Sequence, residues 1–175
     1  MPKILLTLLT LTVLSGCGAK TIPIKGSYIQ SPFSISTDKS FENVWDKIID
    51  LFVLKGYSIK IVDKNSGLIT SERVIVKVTV EKKNKELLDS KAFIVVPQIY
   101  EPGPNRYTPI TKNSDITGEW NIRIRTVQGK TVVDVNVVNL KYQFHDTYYR
   151  TYREEILSNY KSTGVFERTI ADLIK

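Results

Sequence analysis

The sequence predicts an α+β domain: an antiparallel meander sheet of about four or five strands, with an N-terminal helix and one or two C-terminal helices packed on one face. Three observations carry this. Phe41, Val44, Trp45, Ile48 and Phe52 recur at helical spacing. Segments 119–127 and 130–140 alternate around Gln128-Gly129, and Phe166, Ile170, Leu173 and Ile174 form an apolar stripe close to the C-terminus.

The first segment reads as an export signal. Lys3 supplies positive charge and Ile4 to Leu14 is an apolar run interrupted only by threonines. The run is too short for a spanning helix and the right length for a signal-peptide core. Leu14-Ser15-Gly16-Cys17 resembles a lipobox, the cleavage site of bacterial lipoproteins, with a small residue before the cysteine. The resemblance implies a signal peptide over 1–16 and Cys17 as the lipidated mature N-terminus. The alternative is an ordinary thiol near a poorly ordered end. Anchoring by a multiply acylated terminus follows from about 0.8 kcal/mol per buried methylene.

Composition narrows the function. The chain has 175 residues, 42% hydrophobic and 10% aromatic, which suits a folded globule. Its 25 Lys and Arg stand against 18 Asp and Glu, and loss of Lys3 with the leader leaves 24 against 18. A basic surface at a cell envelope suits anionic headgroups or an acidic wall polymer; nucleic acid fits the charge but not the address. No second apolar stretch approaches 18 residues, so the lipid is the expected sole anchor. The one cysteine is taken by lipid, leaving no intramolecular disulfide and no thiolate metal site. His145 is the sole histidine, which leaves no relay of nucleophile and base and no histidine cluster for a metal. Asp46, Asp50, Glu81, Glu86 and Glu101 read as solvated surface. No cofactor is expected beyond covalent lipid on Cys17, no metal site, and no catalytic residue.

The elements follow in order. Residues 17–36 read as the lipidated terminus and a tether, on the order of 60 Å when extended, with Pro32-Phe33-Ser34-Ile35 as a short edge strand before the domain proper at 37–175. Ser40 caps a helix over 40–55 that Gly56 ends. Trp45 sits at the centre of its stripe, where a core anchor is favoured over a ligand-stacking role. Residues 57–62 alternate as a strand, Asp63-Lys64-Asn65-Ser66-Gly67 is a turn, and Leu68 to Glu81 resumes as one long strand with Val74, Val76, Val78 and Val80 on one side. Lys82 to Ser90 is charged, and Ala92 to Val96 is another strand.

Gln98 to Gly118 contains Pro102, Gly103, Pro104 and Pro109 without periodicity. It reads either as a partner-binding loop or as an excursion. For the next hairpin, a two-residue turn at Gln128-Gly129 sets Ile124 opposite Val133, Ile122 opposite Val135, Trp120 opposite Val137 and Arg123 opposite Asp134. The pattern shifts after Val137, implying a bulge or a more buried end. Tyr148, Tyr152, Ile156 and Tyr160 lie four apart, which predicts a helix over 146–160. Tyrosines beside arginines suit a recognition surface; the other reading lays them against the sheet with hydroxyls in water. Val165 to Lys175 closes the fold as a helix capped by Gly164, Ser162 or Thr163.

Val44-Trp45-Asp46, Lys55-Gly56-Tyr57 and Asp63 to Ile69 are together similar to small envelope lipoproteins with a BamC-like helix-grip domain. That resemblance covers helix and hairpin and implies a role as an assembly accessory. The expected function is a membrane-anchored envelope lipoprotein, a non-catalytic binding or accessory module. Its partners are the membrane, through its lipid, and an envelope protein or cell-wall polymer, with no nucleic acid. The expected contact residues are Tyr100, Tyr107, Tyr148, Tyr149, Arg150 and Tyr152. Gly18 after the cysteine resembles the outer-membrane sorting pattern, facing the periplasm, in cells with two membranes. The alternative is a hydrolase of wall glycan or peptide working through carboxylates.

Overall fold

The computed structural model describes residues 20–101, 108–109, 116–146 and 151–175. Along the chain run β1 (Lys20–Ile22), β2 (Phe33–Thr37), α1 (Phe41–Leu54), β3 (Ile59–Asp63), β4 (Leu68–Ser71), β5 (Val74–Ile75), β6 (Val78–Val80) and β7 (Ile94–Val96). There follow β8 (Gln98–Glu101), β9 (Thr108–Pro109), β10 (Ile116–Val127), β11 (Lys130–Asp146), β12 (Thr151–Ile156), β13 (Lys161–Ser162) and α2 (Val165–Ile174). The main sheet is ordered β12-β11-β10-β4-β3, with β2 also on β11 and β5 also on β10; two three-stranded sheets, β1-β8-β9 and β13-β7-β6, complete the fold. The α+β class and the helix-covered antiparallel sheet are those the sequence predicts.

α1 forms where its stripe and cap require it. The Asn43 amide donates to the Ser40 hydroxyl at 3.3 Å, and Val44, Trp45, Ile48, Leu51 and Phe52 are buried. They pack with Ile69, Trp120, Ile122, Ile124 and Val135 of the sheet and with Phe166, Ile170 and Ile174 of α2 in one core. Aromatic rings converge at its centre: Trp120 stacks on Phe166 at 3.7 Å between centroids, and Phe93 meets both edge-on.

The β10–β11 hairpin has the register read from the sequence, including Trp120 opposite Val137 and Arg123 opposite Asp134. The Asp134 carboxylate is bonded by the diagonal neighbour Arg125, at 2.9 Å, and not by Arg123. At the turn Gln128 and Gly129 both have positive φ, 51° and 77°, as a type I′ turn demands. Gln128 is the wrong residue for that geometry, so Gln128→Asn should stabilise the protein by roughly 0.4–1 kcal/mol. A denaturation midpoint that failed to rise would show that the turn conformation carries no strain. The shift after Val137 is a bulge: Thr117 pairs with Lys141 and Glu119 with Val138, with Asn139 at a φ of 54°.

Several expectations are corrected. Within the segment expected as a helix over 146–160, residues 151–156 form a strand: β12 pairs antiparallel with β11, His145 opposite Tyr152 and Lys141 opposite Ile156. A spacing of four is also a multiple of the strand period, so Tyr152 and Ile156 share a strand face as readily as a helix face. The long strand over 68–81 is broken into β4, β5 and β6, and β6 crosses to pair parallel with β7. The alternation survives the break, since Val76 and Val80 are buried and Val74 and Val78 pack on the core. The segment 98–118 is not structureless where described: β8 pairs with both β9 and β1. One partner comes from the distant N-terminal segment, which no local pattern reveals. The residues expected as a tether are, from Lys20 onward, bonded along the domain as a strap.

Candidate functional site

The strap leads to the most developed polar site. After β1 the chain passes Glu81, forms a bridge from Ile29 to Ser162, and enters β2 against β11. Alternation in β6 turns Val80 into the core and leaves Glu81 at its end facing the strap. The Glu81 carboxylate accepts from the Lys25 amide at 2.6 Å, the Gly26 amide at 2.8 Å and the Tyr28 hydroxyl. Burial alone would raise its pKa; the Tyr28 hydroxyl, the two amides and the Lys161 ammonium outweigh that and hold the carboxyl below its usual range. Burial and the facing carboxylate together push the Tyr28 phenol upward, so it remains a donor. Glu81, read from sequence as solvated surface, is the clasp of the strap.

A cleft opens on each side of the clasp. One, of about 550 Å³, is lined by Ile22, Ile24, Lys25, Lys82, Lys83 and Val96 among others. The second, of about 650 Å³, lies between Tyr28, Ser31, Tyr160 and Lys161. The turn that presents Lys82 and Lys83 is fixed by its backbone: the Lys82 amide donates to Glu86 at 2.7 Å, the Lys85 amide to Lys82 at 3.0 Å, and Glu81 bridges to Leu87. Glu81 is the one carboxylate lining either cleft among the described residues, and its oxygens are occupied by the strap. Among the described residues no group of three His, Cys, Asp or Glu is placed to hold a metal ion.

The sheet face away from the helices carries a second polar group. Glu119, 7% exposed, accepts from Lys60 at 3.0 Å and from Asn139 of the bulge at 3.0 Å. The Lys60 hydrogen bond, with support from Asn139 and Arg73, holds the carboxyl below its ordinary 4.5 against the opposing effect of burial. A pKa lower in the folded than in the unfolded chain stabilises the fold fully above the unfolded value and ceases to do so as pH falls through the folded one. Stability should therefore decline below about pH 4.5, and Glu119→Gln should flatten that decline. A variant with an unchanged acid limb in denaturation midpoints would remove Glu119 as a contributor.

Of the sequence-derived contact residues, Tyr100 and Tyr152 lie among the described residues. Tyr100 lies in β8, opposite Lys20 and Pro109; Tyr152 lies in β12, opposite His145. They belong to different sheets. Cys17, Tyr107, Tyr148, Tyr149 and Arg150 lie outside the described residues. What sequence reasoning missed is the clasp of Tyr28 and Glu81 and the lysines beside it. Lys82-Lys83-Asn84-Lys85, a cationic run directly after a strand, was the available signal. No protein-family model matches the chain, and no curated protein matches it.

Proposed function

We propose that this protein is a lipid-anchored lipoprotein of the bacterial envelope whose domain is a non-catalytic binding or assembly-accessory module. The observation that carries the reading is the apolar run Ile4 to Leu14 followed by Leu14-Ser15-Gly16-Cys17. No helix among the described residues is long and apolar enough to cross a membrane, so a covalent lipid on Cys17 supplies the attachment in this reading. By resemblance, Gly18 directs the protein to the outer membrane in a two-membrane cell. The domain contacts an envelope protein or cell-wall polymer, with the tyrosines at 100 and 152 as contact positions. Glu81 supports the non-catalytic reading, because the carboxylate between the two clefts is engaged in holding the strap.

Metabolic labelling with an alkyne fatty acid should mark the wild-type protein, and Cys17→Ser should abolish the label and leave an uncleaved precursor. Label retained on the serine variant would overturn the anchor. Photocrosslinking from positions 100 and 152 in intact cells should then capture a defined envelope component; crosslinks to no envelope component from either position would remove these residues as contacts.

A further inference from the structure

We propose that the cleft of Lys25, Lys82 and Lys83 is a membrane-contact surface that seats anionic phospholipid headgroups of the leaflet holding the Cys17 lipid. The proposal rests on the lipoprotein reading for its geometry. Lys20 is fixed in β1 by pairing with Tyr100 of β8, and Lys25 is fixed by the hydrogen bond its backbone N–H donates to the Glu81 carboxylate. Only the residues between Cys17 and Lys20 separate the acylated terminus from that anchored backbone, a reach of at most about 11 Å. An extended tether of 17–36 would have let the domain stand far from the bilayer; the strap brings the domain down beside it. The face next to β1 is then the face that meets the headgroups.

That face has the chemistry for the contact. Lys25, Lys82 and Lys83 are exposed, and among the described residues none of them has an ion pair within 4 Å. The acid that could have neutralised them, Glu81, takes its hydrogen bonds from two backbone amides and the Tyr28 hydroxyl. Beneath the lysines lie Ile22, Ile24 and Val96, an apolar floor suited to the glycerol and first methylenes below a phosphate. A lysine held near an anionic surface strengthens partitioning by about fivefold, so three together are worth on the order of a hundredfold at low salt.

The test uses the mature chain from residue 17 onward carrying Cys17→Ser, so that neither an acyl group nor the apolar leader contributes, mixed with sedimentable vesicles of phosphatidylcholine with or without about one third phosphatidylglycerol. Partitioning onto the anionic vesicles should exceed that onto the neutral ones and should fall at least tenfold in Lys25→Gln/Lys82→Gln/Lys83→Gln. A control with the same charge change, Lys55→Gln/Lys64→Gln/Lys130→Gln, should fall far less, and both should melt like the parent. Equal losses in the two triple variants, or no loss in the first, would overturn the cleft as the contact. The mass of the wild-type N-terminal peptide decides the anchor separately: an unmodified Cys17 would remove the lipoprotein reading, while the vesicle comparison would still stand or fall on the lysines.

Discussion

Gly67→Ala is expected to destabilise the protein by about 4 kcal/mol or more, a large part of the total stability of an ordinary domain. Gly67 ends the turn between β3 and β4 at a φ of 70°, where an L side chain is already strained. A Cβ placed there would lie 1.8 Å from the carbonyl oxygen of Ile124. That carbonyl has nowhere to go. The Ile124 amide donates to Gly67 at 2.8 Å, and Ile124 is paired with Val133 in the middle of the longest hairpin. Gly129→Ala is the internal control: its φ is 77° and nothing lies within 4 Å of the added carbon. It should cost only about 1 kcal/mol. If chemical denaturation gave the two variants equal losses, the close approach of the turn to β10 would not be what demands glycine at 67.

Trp120→Ala is expected to cost about 3–5 kcal/mol. The side chain is fully buried, stacked on Phe166 and met edge-on by Phe93, so the void left behind is walled by two rings from separate parts of the chain that cannot collapse together. Its indole N–H is buried, with the Tyr57 hydroxyl as a polar neighbour and no well-formed hydrogen bond. Trp120→Phe would keep most of the ring contact and delete that donor, and should cost under about 1.5 kcal/mol. Trp45→Ala belongs to the same class at its lower end, about 3 kcal/mol, since Trp45 is 6% exposed and its stacking partner Phe41 is only partly buried. A Trp120→Ala melt within a degree of wild type would mean that the core reorganises around the loss.

The hairpin of β10 and β11 was legible residue by residue because its turn, its apolar face and its charged face admit one common register. α1 was legible for a similar reason, with cap, stripe and terminating glycine in agreement. β12 was not, because tyrosines four apart satisfy both periods and only the presence of β11 as a neighbour decides between them. The strap was not legible either. Its residues alternate weakly, and the groups that hold it, Glu81, Ser162 and Tyr100, are supplied from parts of the chain far away in sequence. The clasp illustrates the limit most plainly: Glu81 followed by Lys82 and Lys83 looks like water-exposed charge until Tyr28 and the backbone of Lys25 and Gly26 arrive beside it.

The placement of β2 bears on the order in which the molecule can assemble. Thr37 pairs with Thr131, its hydroxyl donates to the carbonyl of Ile174 at 3.0 Å, and the Thr131 hydroxyl donates to Lys39 at 2.7 Å. An early strand therefore finds its ladder partner only once residues 131–135 have emerged and its last acceptor only with Ile174, while β10 and β11 can meet across two residues. Closing such a loop costs chain entropy before any contact repays it, which makes folding slow relative to helical proteins of similar size. The hairpin should form first and the N-terminal strand dock last. A chain interrupted before α2 would leave that strand without its final acceptor, so α2 must be in place before the native topology can lock.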